Sequence, residues 1–345
     1  MQHDTWQQLL ALESRDIVAM WFKKIHGREL NARRAKEITA AAKQAREFFR
    51  NSNASDNSVK PLLTFYGVAS LARALTLLLR RDGGEEGLTR GHGLETLEWS
   101  KQLSGDLSTG IAALSELKVR TCGGLFLDLA QQTNNRMSMH VRSGAVDWRF
   151  NYALPKVGDE IAFGDLMVRL PDLRKEQKIL GIEPPSSSIN EMTYDTSSGV
   201  NIKVATNGFK QLENAYASVG YAITDSGPVS ILNGDADLFS KQTPQFMHAY
   251  VNKMFGTIPN LFLVAPMPNG NRYSQLCMTY IVAFVLGMLA RYFPTHWVSI
   301  FQGDKGDALW PTLNQAHRVA AESFPELVAE MIEDILAHPL QRESD

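Results

Sequence analysis

The chain has 345 residues, enough for one large domain or two of ordinary size, and its 44% hydrophobic and 21% charged residues are typical of a globular protein. A formal net charge of −2 excludes a global electrostatic attraction to nucleic acid or to an anionic membrane, so such binding needs a local basic patch. Cys122 and Cys277 lie in apolar sequence without zinc-site spacing, which predicts reduced core residues.

Helices dominate residues 1–116, which we expect to form an N-terminal helical part. Apolar residues recur at helical spacing over residues 4–26, and a second helix is predicted over residues 30–49. This second helix carries an excess of basic side chains. A solvated helix surface is the interpretation we favour. The alternative is a nucleic-acid-binding or anion-binding face, whose candidate residues are Arg33, Arg34, Lys43 and Arg46.

A strongly apolar helix is predicted over residues 62–79, where several small residues favour close packing against another helix. Arg73 is the only charged residue inside it, so it is expected to be either exposed or buried with a carboxylate partner. Further along, Gly91 and Gly93 flank His92 and free the backbone around it. His92 is a candidate general acid or base, although a structural role is the interpretation we favour.

The composition changes over residues 117–240, where short alternating segments predict strands between Gly-, Pro- and Ser-rich turns, including turns at 184–188 and 195–199. The predicted strands cover residues 117–120, 137–141, 147–152, 201–205, 221–224 and 229–232. Residues 157–180 are predicted to be mostly helical. We interpret the region as a β-rich subdomain inserted between two helical parts.

Residues 241–345 are expected to form a C-terminal helical part that packs with the N-terminal part. Its central segment, residues 276–290, is apolar on every face, as in a core helix or a membrane span. The run falls short of the roughly 18 residues that a span needs, so we predict a buried helix that shares one core with residues 62–79. Two last helices are predicted over residues 312–323 and 325–337. The predicted fold class is α+β, predominantly α-helical.

Five short segments carry a resemblance to a known family. They are Arg33-Arg-Ala-Lys-Glu-Ile38, residues 60–79, His92-Gly-Leu94, Gly124-Leu-Phe-Leu-Asp128 and Met288-Leu-Ala-Arg-Tyr-Phe-Pro-Thr-His-Trp297. Together they resemble the YaaC-like family of bacterial proteins. The resemblance implies a bacterial cytosolic protein and carries no assigned activity. The N-terminus lacks a basic segment followed by an apolar one, which likewise predicts a cytoplasmic location and no membrane association.

Arg291 and His296 follow the central apolar run and form an Arg-x4-His pattern. With the apolar helix and the His-Gly-Leu segment, this pattern resembles the HEPN helical superfamily. The resemblance implies a metal-independent ribonuclease, in which a histidine transfers a proton and a cation stabilises the phosphorane. The candidate catalytic residues are then Arg291, His296 and His92. Tyr292 departs from the usual polar residue and Pro294 disfavours helical spacing, and the structural alternative is that Arg291 caps the helix.

Carboxylates elsewhere give weaker signals. Asp235 and Asp237 with Lys241 fit either a divalent-metal site or an ordinary turn, and we favour the turn. Asp195 and Lys203 match a nuclease core only in part. The sequence contains no nucleotide-binding or zinc-protease motif. We therefore predict no metal site and no cofactor.

Two functional hypotheses remain. The first is a non-catalytic interaction component of a bacterial cytosolic multiprotein system, in phage defence or nucleic-acid handling. It predicts other protein subunits as partners and RNA or DNA as a candidate ligand, and it leaves a homo-oligomer open. The alternative is a metal-independent, HEPN-like ribonuclease that uses Arg291 and His296.

Overall fold

The computed structural model describes residues 3–138, 140, 149–195, 197–218, 220–236, 247–249 and 261–338. The chain forms two compact units. The helical unit comprises Met1–Asn135, Leu154–Phe163 and Gln275–Asp345, and the sheet unit comprises Arg136–Ala153 and Gly164–Ser274. The chain therefore leaves the helical unit and later returns to it. The α+β fold class, with helices in the majority, is confirmed.

Helices and short strands alternate along the described residues. In chain order, the α-helices are α1 (His3–Leu9), α2 (Arg15–His26), α3 (Ala32–Ala54), α4 (Lys60–Leu79), α5 (Trp99–Gln102), α6 (Leu107–Ala112), α7 (Leu125–Gln132), α8 (Phe163–Met167), α9 (Arg174–Ile179), α10 (Thr206–Phe209), α11 (Glu213–Ser218), α12 (Gln275–Tyr292), α13 (Pro294–Gln302) and α14 (Trp310–Ala337). The strands are β1 (His92–Leu97), β2 (Lys118–Gly124), β3 (Glu160–Ala162), β4 (Ser186–Asp195), β5 (Gly199–Ala205), β6 (Ala222–Ser226), β7 (Val229–Gly234), β8 (Met247–Ala249) and β9 (Leu261–Val264).

Local capping determines where the first helices begin. The sequence predicts one helix over residues 4–26, but the structure divides it at Ser14, whose Oγ accepts a hydrogen bond from the Ile17 backbone N–H at 3.4 Å. Asn31 begins α3 in the same way, because its side chain accepts from the Arg33 backbone N–H at 2.7 Å. Such caps satisfy N–H groups that the first turn of a helix leaves unpaired.

Helices α4 and α12 lie in one core. The Phe65 ring on α4 lies 5.4 Å from the Phe284 ring and 6.0 Å from the Tyr280 ring on α12, both edge-on. Close approach depends on Gly287, where an added Cβ would lie 2.8 Å from the Phe65 Cβ. The two apolar runs thus bury each other, because neither has a polar face to turn towards water.

A small antiparallel sheet, in the order β1-β2-β3, belongs to the helical unit. Its register shifts between His92 and Leu94 where β1 pairs with β2, which marks a β-bulge at the start of β1. The helical unit therefore extends past the expected boundary at residue 117. The sequence missed β1 because its six residues include a glycine and three polar side chains.

The sheet unit is built on a six-stranded sheet in the order β6-β7-β5-β4-β9-β8, in which every neighbouring pair is antiparallel. Alternate residues of β5 point into its core, as the period of a strand requires. The buried core of this unit contains Met137, Tyr152, Val200, Ile202, Val204, Phe209, Leu212, Tyr216, Tyr221, Leu232, Leu261 and Leu263.

Four predictions of local structure are corrected. The turn predicted at 184–188 is wrong from Ser186 onward, since β4 begins there. The first three residues of β4 are serines, which do not indicate a strand. The two helices predicted over 312–323 and 325–337 are a single helix, α14, with Pro325 inside it. Residues 157–180 contain β3 and only short helices. The strands predicted at 137–141 and 147–152 are wrong where the structure describes them, since an isolated bridge between Arg136 and Asn151 takes their place; residues 139, 141, 147 and 148 lie outside the described residues.

Two helices, α4 and α12, are long and apolar enough to cross a membrane by length and composition. α12 reaches 18 residues, longer than the apolar run in the sequence indicates. The apolar windows of α4 and α12 are 72% and 89% buried inside the structure. Because the core helix of a soluble protein passes the same test, their length carries no argument for a membrane.

Candidate functional site

The basic side chains predicted to form an anion-binding face on α3 are largely paired within the protein. Arg46 donates from Nε and Nη2 to the two carboxylate oxygens of Glu13, at 2.6 and 3.0 Å. Arg33 donates to Glu37 at 2.9 Å and to Glu86 at 3.1 Å. Two of the four predicted cations are therefore neutralised by carboxylates from α3 itself and from distant segments.

Arg34 has a structural position. It is buried, and its guanidinium donates to the Leu77 carbonyl from Nε at 3.1 Å and from Nη2 at 2.6 Å, which satisfies the C-terminal end of α4. The guanidinium also lies 4.9 Å from the centre of the Phe22 ring. Burial, followed by neighbouring arginine charges, lowers the pKa of Arg34 to about 10. Arg33 and Lys43 are exposed, but within the described residues only Lys43 lacks an ion pair or a backbone acceptor, so the four residues do not form one free cationic face.

A cavity of about 320 Å³ adjoins these arginines. Its lining includes Phe22, Arg28, Arg33, Arg34 and Glu37. Arg28 pairs with Asp82 at 2.8 Å, so all three lining arginines already contact protein acceptors. The cavity therefore presents compensated charge, and we assign it no ligand.

The structure does not bring His296 to an exposed site with Arg291. His296 is buried on α13, and its ring packs against Gly110, where an added Cβ would lie 2.5 Å from the His296 Nε2. Within the described residues, that Nε2 has no hydrogen-bond partner. Burial lowers the pKa of His296. His296 exposes only 9% of its surface, whereas Arg291 is exposed.

Arg291 instead lies beside α4. Its Nη1 donates to the Tyr66 hydroxyl at 3.1 Å, and its guanidinium lies 4.9 Å from the centre of the Tyr292 ring. The side chain is exposed. Throughout the described ranges, no carboxylate pairs with Arg291, and its hydrogen bond is to a phenol, not to the terminal carbonyls of α12.

Two further groups lie near Arg291 on the same unit. Arg73 is exposed on α4 and, among the residues that the structure describes, has no carboxylate partner. The His92 ring is exposed at one edge and packs edge-on against Phe65 at 4.9 Å. Both arginine charges act on His92, since each lowers its pKa. We call Tyr66, Arg73, His92 and Arg291 the cationic cluster.

The β-bulge at the start of β1 positions His92. Gly93 adopts φ +80°, and an added Cβ there would lie 2.6 Å from the Phe126 backbone nitrogen, so only glycine allows this approach. The His92 carbonyl accepts a hydrogen bond from the Tyr280 hydroxyl at 2.9 Å. Bulges commonly redirect a side chain beside a functional site. Here the bulge places the imidazole against Phe65 and towards the two arginines.

Partial burial of the ring lowers the pKa of His92 below its ordinary value of 6.5, and the charges of Arg291 and then Arg73 lower it further. We expect Arg291→Gln and Arg73→Gln each to raise the pKa of His92, because each removes a nearby positive charge. An NMR titration of the imidazole measures this directly. Arg15→Gln, which removes an exposed cation on α2, is the control and leaves the titration unchanged. Unchanged values in both cluster variants would contradict the proposed proximity.

The cationic cluster combines two exposed guanidiniums, an imidazole that is neutral near pH 7 and a half-buried phenol. It can bind an anion through the arginines, and it can accept a proton at His92. The sequence analysis missed Arg73 and Tyr66 as site residues. Their spacing of seven residues places them on one face of α4, and Arg73 is the only charge in that helix after its first residue, Lys60, so a signal was present.

The weaker carboxylate signals belong to turns and strand pairs. The Asp195 carboxylate accepts from the backbone N–H groups of Ser197 and Ser198, which closes the turn after β4. Lys203 pairs with Glu191 across the β4–β5 ladder at 2.9 Å. Asp237 and Lys241 lie outside the described residues. Within the described ranges, no group of three or more His, Cys, Asp or Glu is placed to hold a metal ion.

The fold and the cationic cluster define a predominantly helical α+β protein that presents unpaired arginines on its helical unit. The model of the YaaC-like protein family matches residues 10–332, so the chain belongs to that family. No curated protein and no solved structure matches the chain.

Proposed function

We propose that this chain is a non-catalytic interaction component of a bacterial cytosolic multiprotein system, in phage defence or nucleic-acid handling. The main observation behind this proposal is that Arg73 and Arg291 are exposed and, in the described part of the chain, have no carboxylate partner. The charges of both arginines lower the pKa of His92. Exposed guanidiniums without a carboxylate partner can bind the acidic or phosphate groups of an anionic partner. Arginine and tyrosine are also enriched where partners bind.

Purification of the tagged chain from its native cell tests this proposal. We expect at least one partner to co-purify in a fixed ratio and to be lost in Arg291→Glu, because the charge reversal repels an anionic surface. Arg15→Glu makes the same charge change on α2 and is expected to retain the partner. A chain that purifies alone, or a partner that Arg291→Glu retains, would contradict the proposal.

A metal-independent ribonuclease remains the second candidate, and one observation favours it: Arg291 lies near a histidine, although that histidine is His92. The lowered pKa leaves His92 neutral near pH 7, the form that can accept a proton from an RNA 2′-hydroxyl. Arg291 and Arg73 are placed to stabilise negative charge on the phosphorane. His296, the histidine of the sequence pattern, is buried away from this surface.

RNA cleavage in buffer with EDTA separates the two candidates. We expect the purified chain to leave RNA intact. Cleavage that His92→Ala abolishes and His296→Ala retains would replace the interaction proposal with a ribonuclease centred on the cationic cluster. The opposite pattern, with activity lost only in a folded His296→Ala, would restore the Arg-x4-His pair of the sequence hypothesis.

A further inference from the structure

The cationic cluster lies within a surface that also exposes aromatic rings. Tyr66 is half-buried on α4, and Tyr292 at the end of α12 exposes 58% of its surface. The Arg291 guanidinium lies over the Tyr292 ring at 4.9 Å and also donates to the Tyr66 hydroxyl. An exposed cation therefore lies beside two accessible rings on the helical unit.

The two arginines are spaced along this patch. Tyr66 and Arg73 lie seven residues apart on α4, about 10 Å along the helix axis. Arg291 is hydrogen-bonded to Tyr66, so its charge lies near the Tyr66 end of this stretch of α4. Arg73 lies at the other end. The two positive charges are thus separated along α4. This separation suits a chain of anionic groups better than a single small anion.

We propose that Tyr66, Arg73, His92, Arg291 and Tyr292 bind a single-stranded nucleic acid. Proteins that bind single strands combine cations that contact the phosphates with aromatic rings on which bases stack. An acidic peptide would use the arginines but would not need the exposed Tyr292 ring. A duplex offers phosphates but keeps its base faces stacked inside. This inference rests on the proposed interaction function and names its partner.

Fluorescence anisotropy with short labelled oligouridylate and oligothymidylate tests the inference. A duplex and a polyglutamate of equal length serve as competitors. We expect both single strands to bind, and Arg73→Gln/Arg291→Gln to weaken binding about tenfold at low salt and to reduce the salt slope by about 1.4, for two phosphate contacts. Tyr292→Ala is expected to weaken binding about fivefold or more through lost stacking.

Arg15→Gln/Lys24→Gln is the matched control, because it removes two exposed cations from α2 of the same unit. It is expected to change affinity by less than about twofold, since these side chains are not part of the cationic cluster and salt screens exposed charges. Circular dichroism of every variant confirms folding. Either preference between the RNA and DNA strands supports the inference, and preference for RNA adds a 2′-hydroxyl contact.

Three results would overturn the inference: no binding of either single strand at low salt, equal loss of affinity in the control variant, or polyglutamate binding that Tyr292→Ala leaves unchanged. A co-purified protein partner that depends on Arg291, together with no oligonucleotide binding, would overturn this inference and leave the interaction proposal standing. Oligonucleotide binding at the cluster by a chain that purifies without a protein partner would overturn the interaction proposal and leave this inference standing.

Discussion

Replacing Phe65 with alanine is expected to lower the free energy of unfolding by about 3–5 kcal/mol, the usual cost of emptying a buried phenylalanine site. Phe65 is fully buried between α4 and α12, and its ring contacts Phe284, Tyr280 and His92. Urea denaturation of the purified chain, followed by circular dichroism, measures the loss.

Phe48→Ala is the matched control. Phe48 is a phenylalanine of the adjacent helix α3, but it is only partly buried, and its ring lies 5.4 Å from the Tyr66 ring at a tilt of 41°. We expect this variant to lose much less stability, because its cavity opens to solvent. Equal losses in the two variants would mean that the contact between α4 and α12 is not the main core of the helical unit.

Acidification is expected to destabilise the helical unit through His317. This histidine is buried on α14, and its Nε2 lies 2.8 Å from the Thr64 hydroxyl, which in turn lies 2.7 Å from the Ser52 hydroxyl. Ser52 donates to the Lys60 carbonyl at 3.1 Å. Because each hydroxyl donates once, the chain of bonds is consistent with a His317 Nε2–H that donates to Thr64.

Burial lowers the pKa of His317 from 6.5 to about 4. The unfolded chain therefore binds a proton between pH 6.5 and pH 4 that the folded chain does not, so stability falls as the pH drops through this window and levels off below it. The loss at pH 4 is about 3 kcal/mol, at 1.36 kcal/mol per pKa unit. His317→Gln, which keeps a side-chain donor but does not titrate, is expected to remove this part of the pH dependence.

Ser52→Ala separates titration from hydrogen bonding. It removes the donor to the Lys60 carbonyl without changing a titratable group, so we expect a loss of about 1–3 kcal/mol at every pH and an unchanged slope. Denaturant midpoints at pH 7, 5.5 and 4 distinguish the two effects. A His317→Gln variant with the same pH slope as the natural chain would assign the acid sensitivity to other groups.

Apolar patterning predicted the helices best. The runs over residues 62–79 and 276–290 correspond to α4 and α12 within a few residues at each end. A segment that is apolar on every face must be buried, so its structure can be predicted without knowledge of its neighbours. The strands of β5 and β7 were readable for a related reason, since their alternating residues match the period of a half-buried strand.

The polar start of a strand could not be predicted from its sequence. β4 begins with three serines, and its later apolar residues are interrupted by polar and charged ones. It pairs with β5 and β9 through backbone hydrogen bonds that its side chains do not reveal. Pro325 likewise predicts a break that tertiary packing overrides, because this part of α14 is buried against the rest of the helical unit. In both cases the deciding contacts come from other segments.

The candidate site shows the same division. Arg291 is recognisable as a polar residue that leaves a buried helix, but five-residue spacing suggested His296 as its partner, whereas the structure places Arg291 near His92 and against Tyr66. Spacing along the chain constrains side chains only while one helix continues, and here α12 ends at Tyr292 before α13 begins. The partner therefore had to come from another element.

By itself, the sequence determined a predominantly helical α+β chain, two apolar core helices and membership of a family, because burial of apolar surface and local periodicity are properties of each segment. Only the tertiary structure decided which charges remain free. Arg46 is neutralised by Glu13, 33 residues away, and Arg291 meets a phenol 225 residues away. Electrostatic partners act through space over a few ångströms, so their identity depends on how distant segments pack.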